Sequence, residues 1–214
     1  TNDISKFIQN EIFNKLQKKG VVFGLSGGID SAVTAALCSK SFESEQILGL
    51  IMPEKESDNS SKILAEKVSK KYNFRTEIID ITKILDSFGV YEMKEKIVKE
   101  KFPQFTSECK YRVVVPPKSK NIIGIPFLEI LDEENKTHKL KISSSDFLTL
   151  TAATSIKHRV RMTSLYFHGE KNNFSVVGTT NKSEYQQGYF VKYGDGGSDI
   201  EPLVNIYKSQ IYQL

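Results

Sequence analysis

Apolar positions along this chain change their spacing in a regular way. Over residues 2–19, Ile4, Phe7, Ile8, Ile12, Phe13 and Leu16 recur at helical spacing and predict an amphipathic helix, which Gly20 would end. The apolar run 21–25 then reads as a buried strand, and 32–39 reads as helix. The alternation repeats: strand at 46–52, polar loop at 53–59, and a helix at 60–72 with Ile63, Leu64 and Val68 inward. Residues 75–79 form the next strand, and 81–88 start another helix. Residues 103–143 break this rhythm. Pro103, Pro116, Pro117 and Pro126 separate short runs at 113–115, 122–125 and 140–142, and 132–136 reads as the turn of a β-hairpin. This stretch reads as an insertion, too short for a core of its own. A long helix resumes at 145–171, a strand follows at 174–177, 179–197 is polar and glycine-rich, and 207–214 reads as helix. Strands alternating with helices predict an α/β class. The expected fold is one domain over 1–214, a doubly wound, mostly parallel sheet with helices on both faces and an inserted irregular or β segment at about 103–143.

Composition narrows the classes. The excess of 30 Lys and Arg over 26 Asp and Glu is small and spread along the chain, so no nucleic-acid partner is expected. No apolar run approaches the roughly 20 residues that span a bilayer, and no signal peptide is visible. No membrane association is expected, and a cytoplasmic location is the default. The two cysteines, Cys38 and Cys109, form no metal-ligand spacing and no disulfide framework; Cys38 lies on an apolar helical face and reads as core.

The string Ser26-Gly27-Gly28-Ile29-Asp30-Ser31 lies between a predicted strand and a predicted helix. A helix start of this kind points backbone N–H groups and partial positive charge at one spot. Glycines let the backbone approach a phosphate, and the hydroxyls of Ser26 and Ser31 can donate to it. Asp30 would repel phosphate unless a cation stood between them, and Mg2+ resolves the conflict. The string is not a Walker loop, which needs GxxxxGK followed by Ser or Thr.

With Gly24-Leu25 ahead of it and an alanine-rich helix behind, SGGIDS resembles the signature of the ATP-pyrophosphatase loop family. A second segment narrows the likeness. Gly178-Thr179-Thr180-Asn181-Lys182-Ser183-Glu184, followed by Tyr189-Phe190-Val191-Lys192-Tyr193-Gly194-Asp195-Gly196-Gly197-Ser198-Asp199-Ile200, resembles the GT-x-N-KSE and KYGDGG segments of ammonia-dependent NAD synthetases. The resemblance implies a Rossmann-like ATP-pyrophosphatase fold with ATP as co-substrate, bound by Gly24, Leu25, Ser26, Gly27, Gly28, Ile29, Asp30, Ser31, Thr179 and Lys208. It implies Mg2+ held by Asp30 and Glu184, with Asp30 and Lys208 in catalytic roles. It implies contacts to deamido-NAD from Arg159, Lys192 and Asp199, with Asp195 in the same site. Tyr189 is read either as a stacking partner for the nicotinate ring or as core. Residues 157–162 resemble the family's (A/Q)-R-x-R-M helix; because i and i+2 do not share a helical face, Arg161 is given another task than Arg159, such as a structural ion pair.

The activity implied is amidation of deamido-NAD by ammonia through an acyl-adenylate, with pyrophosphate and then AMP released. A homodimer is implied too. No glutaminase domain fits this length, so ammonia would come free or from a separate glutaminase subunit. The 103–143 insertion and the lack of a match to the family's further C-terminal segment bear on the acceptor and keep one alternative open, an amide ligase for another carboxylate. A non-catalytic nucleotide-binding module is a third reading, against which the intact loop 26–31, Glu184 and Lys208 argue.

Overall fold

The computed structural model describes residues 2–106, 109–115 and 125–214. The run at 122–124 and the prolines Pro116 and Pro117 lie outside the described residues. Two compact units are present: residues 1–84 with 157–214, and residues 85–156.

The first unit is built on a four-stranded sheet. Its strands are β1 (Gly20–Gly24), β2 (Ile47–Ile51), β3 (Arg75–Ile78) and, late in the chain, β7 (Phe174–Val176). All pairings are parallel and the spatial order is β3-β2-β1-β7. Strands covered on both faces have no polar side, which is why β1 and β2 read as unbroken apolar runs. Val21, Val22 and Phe23 are fully buried. Val21 and Phe23 pack with residues of α1 (Asn2–Gln9), α2 (Ile29–Ser41) and α3 (Asn59–Tyr72). Val22 and Val176 point the other way and meet Gly169 of α6 (Ser144–Asn172). Helices therefore cover both faces, and the doubly wound α/β class read from the sequence holds. The chain steps outward from β1 to β3, then crosses over to place β7 on the far side of β1. That reversal is a topological switch point, where such sheets open a crevice at the carboxyl ends of their strands.

The second unit has its own apolar cluster, comprising Ile97, Val98, Phe102, Leu128, Ile130, Ile142 and Leu150. It pairs β4 (Lys110–Val114), β5 (Phe127–Leu131) and β6 (Thr137–Lys141) into an antiparallel sheet in that order. Strand β5 was not anticipated, but the turn at 132–136 does close a hairpin. Asp132 Oδ1 accepts the N–H groups of Glu134 (3.0 Å) and Lys136 (2.8 Å), and Asn135 takes φ 61°. The unit is wider than the predicted insertion because α5 (Val90–Lys101) and the start of α6 supply Ile97, Val98 and Leu150 to its core.

Several element limits differ from the sequence pattern. The first helix passes into a π-helical turn at Asn10–Lys15, with the Leu16 N–H bonded to the Glu11 carbonyl. A five-residue repeat shifts the phase of the apolar stripe. Ile8 and Ile12 stay buried, while Phe7, Phe13 and Leu16 are exposed. Gly20 does not end that helix: Gln17, at φ 54°, makes the left-handed exit, and Gly20 begins β1. In α3 it is Ala65 and Val68 that face the core, and Ile63 and Leu64 are exposed. At the C-terminus α8 spans only Lys208–Ile211, anchored by buried Ile211, instead of running through 214.

Candidate functional site

A cavity of about 790 Å3 opens at the carboxyl ends of the parallel strands. Its floor is the turn from β1 into α2. Gly27 stands at φ 82°, and a Cβ there would lie 2.5 Å from the Ser61 carbonyl. Only glycine lets this turn nest against α3. The Gly28 N–H donates to Ser26 Oγ (3.2 Å), and Ser31 Oγ donates to the Gly28 carbonyl (2.9 Å). Gly28, the N-cap of the thirteen-residue α2, has no side chain to accept a bond from the first turn, so that end of the helix dipole faces the cavity without a capping side chain.

The polar centre joins residues far apart in sequence. Asp30, in the first turn of α2, forms an ion pair through Oδ2 with Lys208 Nζ. Its Oδ1 accepts the side-chain N–H of Asn181 at 3.2 Å. Asn181 is fully buried and caps α7 (Lys182–Gln187). Asn181 Oδ1 accepts the Glu184 N–H (3.1 Å), and the Asn181 N–H donates to Glu184 Oε2 (3.2 Å). One buried residue thus registers two carboxylates on helices from opposite ends of the chain, Asp30 through its side-chain amide and Glu184 through its backbone N–H. The α8 start is fixed in turn by the Lys208 N–H, which donates to Ser183 Oγ at 3.2 Å.

The donor set suits magnesium. Asp30, Glu184 and Lys208 leave one net negative charge beside the start of α2, which disfavours a polyanion there unless a cation offsets it. Among the described residues there is no cluster of three or more His, Cys, Asp or Glu that would cage a metal. Two carboxylates facing one cavity are the kind of sparse oxygen donor set with which magnesium, which keeps several waters, is compatible.

Gly24, Leu25, Ser26, Gly28, Asp30, Ser31, Thr179, Glu184, Tyr189 and Asp195 all line the cavity. Gly27 shapes the turn from behind, Ile29 packs toward the core, and Lys208 reaches the site through Asp30. Three predicted substrate contacts lie elsewhere. Arg159 Nε donates to the Lys192 carbonyl (3.1 Å), and Lys192 Nζ lies over the Tyr193 ring. Asp199 accepts the Tyr166 hydroxyl (2.9 Å) and the Val176 N–H (2.8 Å); burial, and then the Asp199 carboxylate, push the Tyr166 phenol above its ordinary range. Helical geometry accounts for the first of these: His158, Arg161, Met162 and Leu165 recur at three- and four-residue spacing and face the cavity, which turns Arg159 aside. Arg161 is therefore a wall residue, and its Nε donates to the Met52 carbonyl at 3.3 Å.

Sequence reasoning missed other wall residues, among them Glu54, Asp58, Lys62, Asp80 and His158. The usable signal was their position in the loop after β2 (Glu54), at the start of α3 (Asp58, Lys62), just after β3 (Asp80) and on the matching turn of α6 (His158). Asp80 is held below the ordinary carboxylate range by hydrogen bonds from Thr82. Burial lowers the His158 imidazole; Asp195, 3.3 Å from its Nδ1, opposes that shift, and Arg161 and Lys157 add to it. Behind the β7 exit, Glu201 accepts the Ser198 hydroxyl (2.6 Å) and the Thr180 N–H (3.0 Å), and burial pushes its carboxyl up to about 7.

Comparison with known proteins bears directly on this arrangement. The family model described as NAD synthase matches residues 1–115 and 121–214. The NH3-dependent NAD+ synthetase of Mesorhizobium japonicum is 36% identical over 97% of this chain and 65% of its own length. That of Thermotoga maritima is 34% identical over 97% of this chain and 69% of its own. Among solved structures, the NH3-dependent NAD synthetase of Campylobacter jejuni superposes with a TM-score of 0.67 at 29% identity, covering 99% of this chain and 69% of that one. The NMN synthetase of Francisella tularensis gives 0.65 at 26% identity, covering 100% and 68%. The chain spans 65%, 64% and 60% of three rhizobial relatives. The turn at Ser26–Ser31, the two carboxylates registered by Asn181 and the matched sequence agree, and the chain belongs to the NAD synthase family.

Proposed function

We propose that this chain is the ATP-binding and amide-forming part of an ammonia-dependent NAD synthetase. The observation that carries the reading is the Asp30–Asn181–Glu184 array standing over an uncapped helix start. ATP binds with its phosphates on the turn 26–31 and its base toward the apolar wall of Met52, Met162 and Leu165. The carboxylate of deamido-NAD attacks the α-phosphorus, and the bond to the β-phosphate breaks with pyrophosphate leaving. Ammonia then adds to the acyl carbon, loses a proton, and AMP departs. No protein nucleophile is required; the chain positions its substrates and neutralises phosphate charge. Asp30 and Glu184 would hold Mg2+, which supplies charge neutralisation on the leaving pyrophosphate. Lys208 holds the Asp30 carboxylate in place and adds a compact positive charge nearby. Tyr189 and Asp195 line the side of the cavity assigned to deamido-NAD. The working assembly is a cytoplasmic homodimer supplied with free ammonia or served by a separate glutaminase subunit. Among the described residues no helix is long and apolar enough to cross a membrane.

The deciding assay follows pyrophosphate and NAD from ATP, Mg2+, deamido-NAD and ammonium, with Asp30→Ala as control. Both products should form with the wild type and vanish in the variant. A second reading, amidation of a different carboxylate, is favoured by one observation: a solved relative of similar coverage is described as an NMN synthetase. Carboxylate-dependent pyrophosphate release with no NAD formed would select it.

A further inference from the structure

We propose that Lys157 is a positioning residue that holds the loop after β2 in the shape that admits ATP, an inference that rests on the reading of the cavity as an ATP site. Residues Met52, Pro53, Glu54, Lys55 and Ser57 of this loop form one wall of the cavity. The loop is tied to α6 from within. Lys157 is buried, and its Nζ lies 2.7 Å from Glu54 Oε1 and 2.6 Å from Glu56 Oε2. Glu54 is buried too, and its second oxygen accepts the Glu56 N–H at 3.0 Å. The Glu54 N–H donates to Ser57 Oγ (2.9 Å), and the Ser57 N–H donates to the Glu54 carbonyl (2.8 Å). One ammonium therefore holds two carboxylates and, through them, the backbone of a tight turn. One helical turn further on, Arg161 fastens Met52 to the same helix.

Two consequences follow from removing this cation. Taking the ammonium from a buried carboxylate is strongly unfavourable and drives the loop outward toward water. Glu54 and Glu56 would then lose the ammonium shared between them, which makes more negative a wall that must accept a triphosphate. Both effects act on ATP binding; neither touches the reacting atoms.

The experiment uses the whole chain. Binding of the uncleavable α,β-methylene analogue of ATP and steady-state kinetics are compared for wild type, Lys157→Met, Lys157→Arg and Glu56→Gln. Lys157→Met should weaken analogue binding and raise KM for ATP by about tenfold or more, with kcat within about threefold of wild type. Lys157→Arg should recover most of the loss, since charge is restored. Hydrogen exchange at the Glu56 and Ser57 amides, read without nucleotide, should quicken by about tenfold in Lys157→Met. Glu56→Gln, at a partly exposed carboxylate, should quicken the same amides without lowering the melting temperature. Unchanged exchange in both variants overturns the clamp. Wild-type affinity in Lys157→Met, or an Arg variant no better than Met, overturns its effect on ATP. A wild-type chain that binds no nucleotide instead overturns the ATP reading, and the exchange measurement still decides the clamp.

Discussion

Asn181 is the residue whose replacement tests the site most sharply. Its side chain does two jobs: it donates to Asp30 and it accepts the N–H at the third position of α7. Asn181→Ala removes both. The lost cap costs about 1 kcal/mol, and the lost hydrogen bond to a charged acceptor costs about 1.5–3 kcal/mol. Asn181→Ser separates the two, because serine caps as well as asparagine but its hydroxyl is too short to reach Asp30. If registry of Asp30 matters chiefly in the transition state, its loss lowers kcat/KM for pyrophosphate release by roughly 10- to 150-fold. Both variants should show that loss. Urea unfolding should separate them, with the serine variant recovering about 1 kcal/mol relative to alanine. A serine variant whose kcat/KM is within about threefold of wild type would refute the idea that Asn181 registers Asp30 for catalysis.

Two further outcomes follow from the same geometry. Burial raises the Glu201 carboxyl to about 7 in the folded chain, against 4.5 as its ordinary value. The folded state therefore binds more protons between those values, and stability is full below about pH 4.5 and lost as pH rises through 7, by about 3 kcal/mol. Urea midpoints of wild type and Glu201→Gln across that range check this; equal pH slopes would count against it. Gly27→Ala places a Cβ 2.5 Å from the Ser61 carbonyl at φ 82°. It should cost about 1–3 kcal/mol and abolish tight binding of the ATP analogue, whereas a variant with native melting temperature and affinity would contradict the nested turn.

The sequence by itself determined what local spacing encodes. Strands β1 and β2 were legible because a parallel strand buried on both faces has no polar alternation to blur it. The turn Ser26–Ser31 was legible because glycine at 27 and a helix start at 29 are dictated within a few residues. Periodicity orders faces around a helix but does not say which face meets the core. That is why Ile63 and Leu64 came out exposed while Ala65 seats α3, and why Arg161 lines the cavity and Arg159 does not. Only the tertiary structure could decide the pairing of Asp30 with residues 151 and 178 positions away, or of Lys157 with Glu54 across 103. The Asp30 contacts arise where the sheet order reverses between β1 and β7 and the Lys157 pair where α6 meets the loop after β2, and strand order is a property of the whole chain, set by which packing buries the most apolar surface.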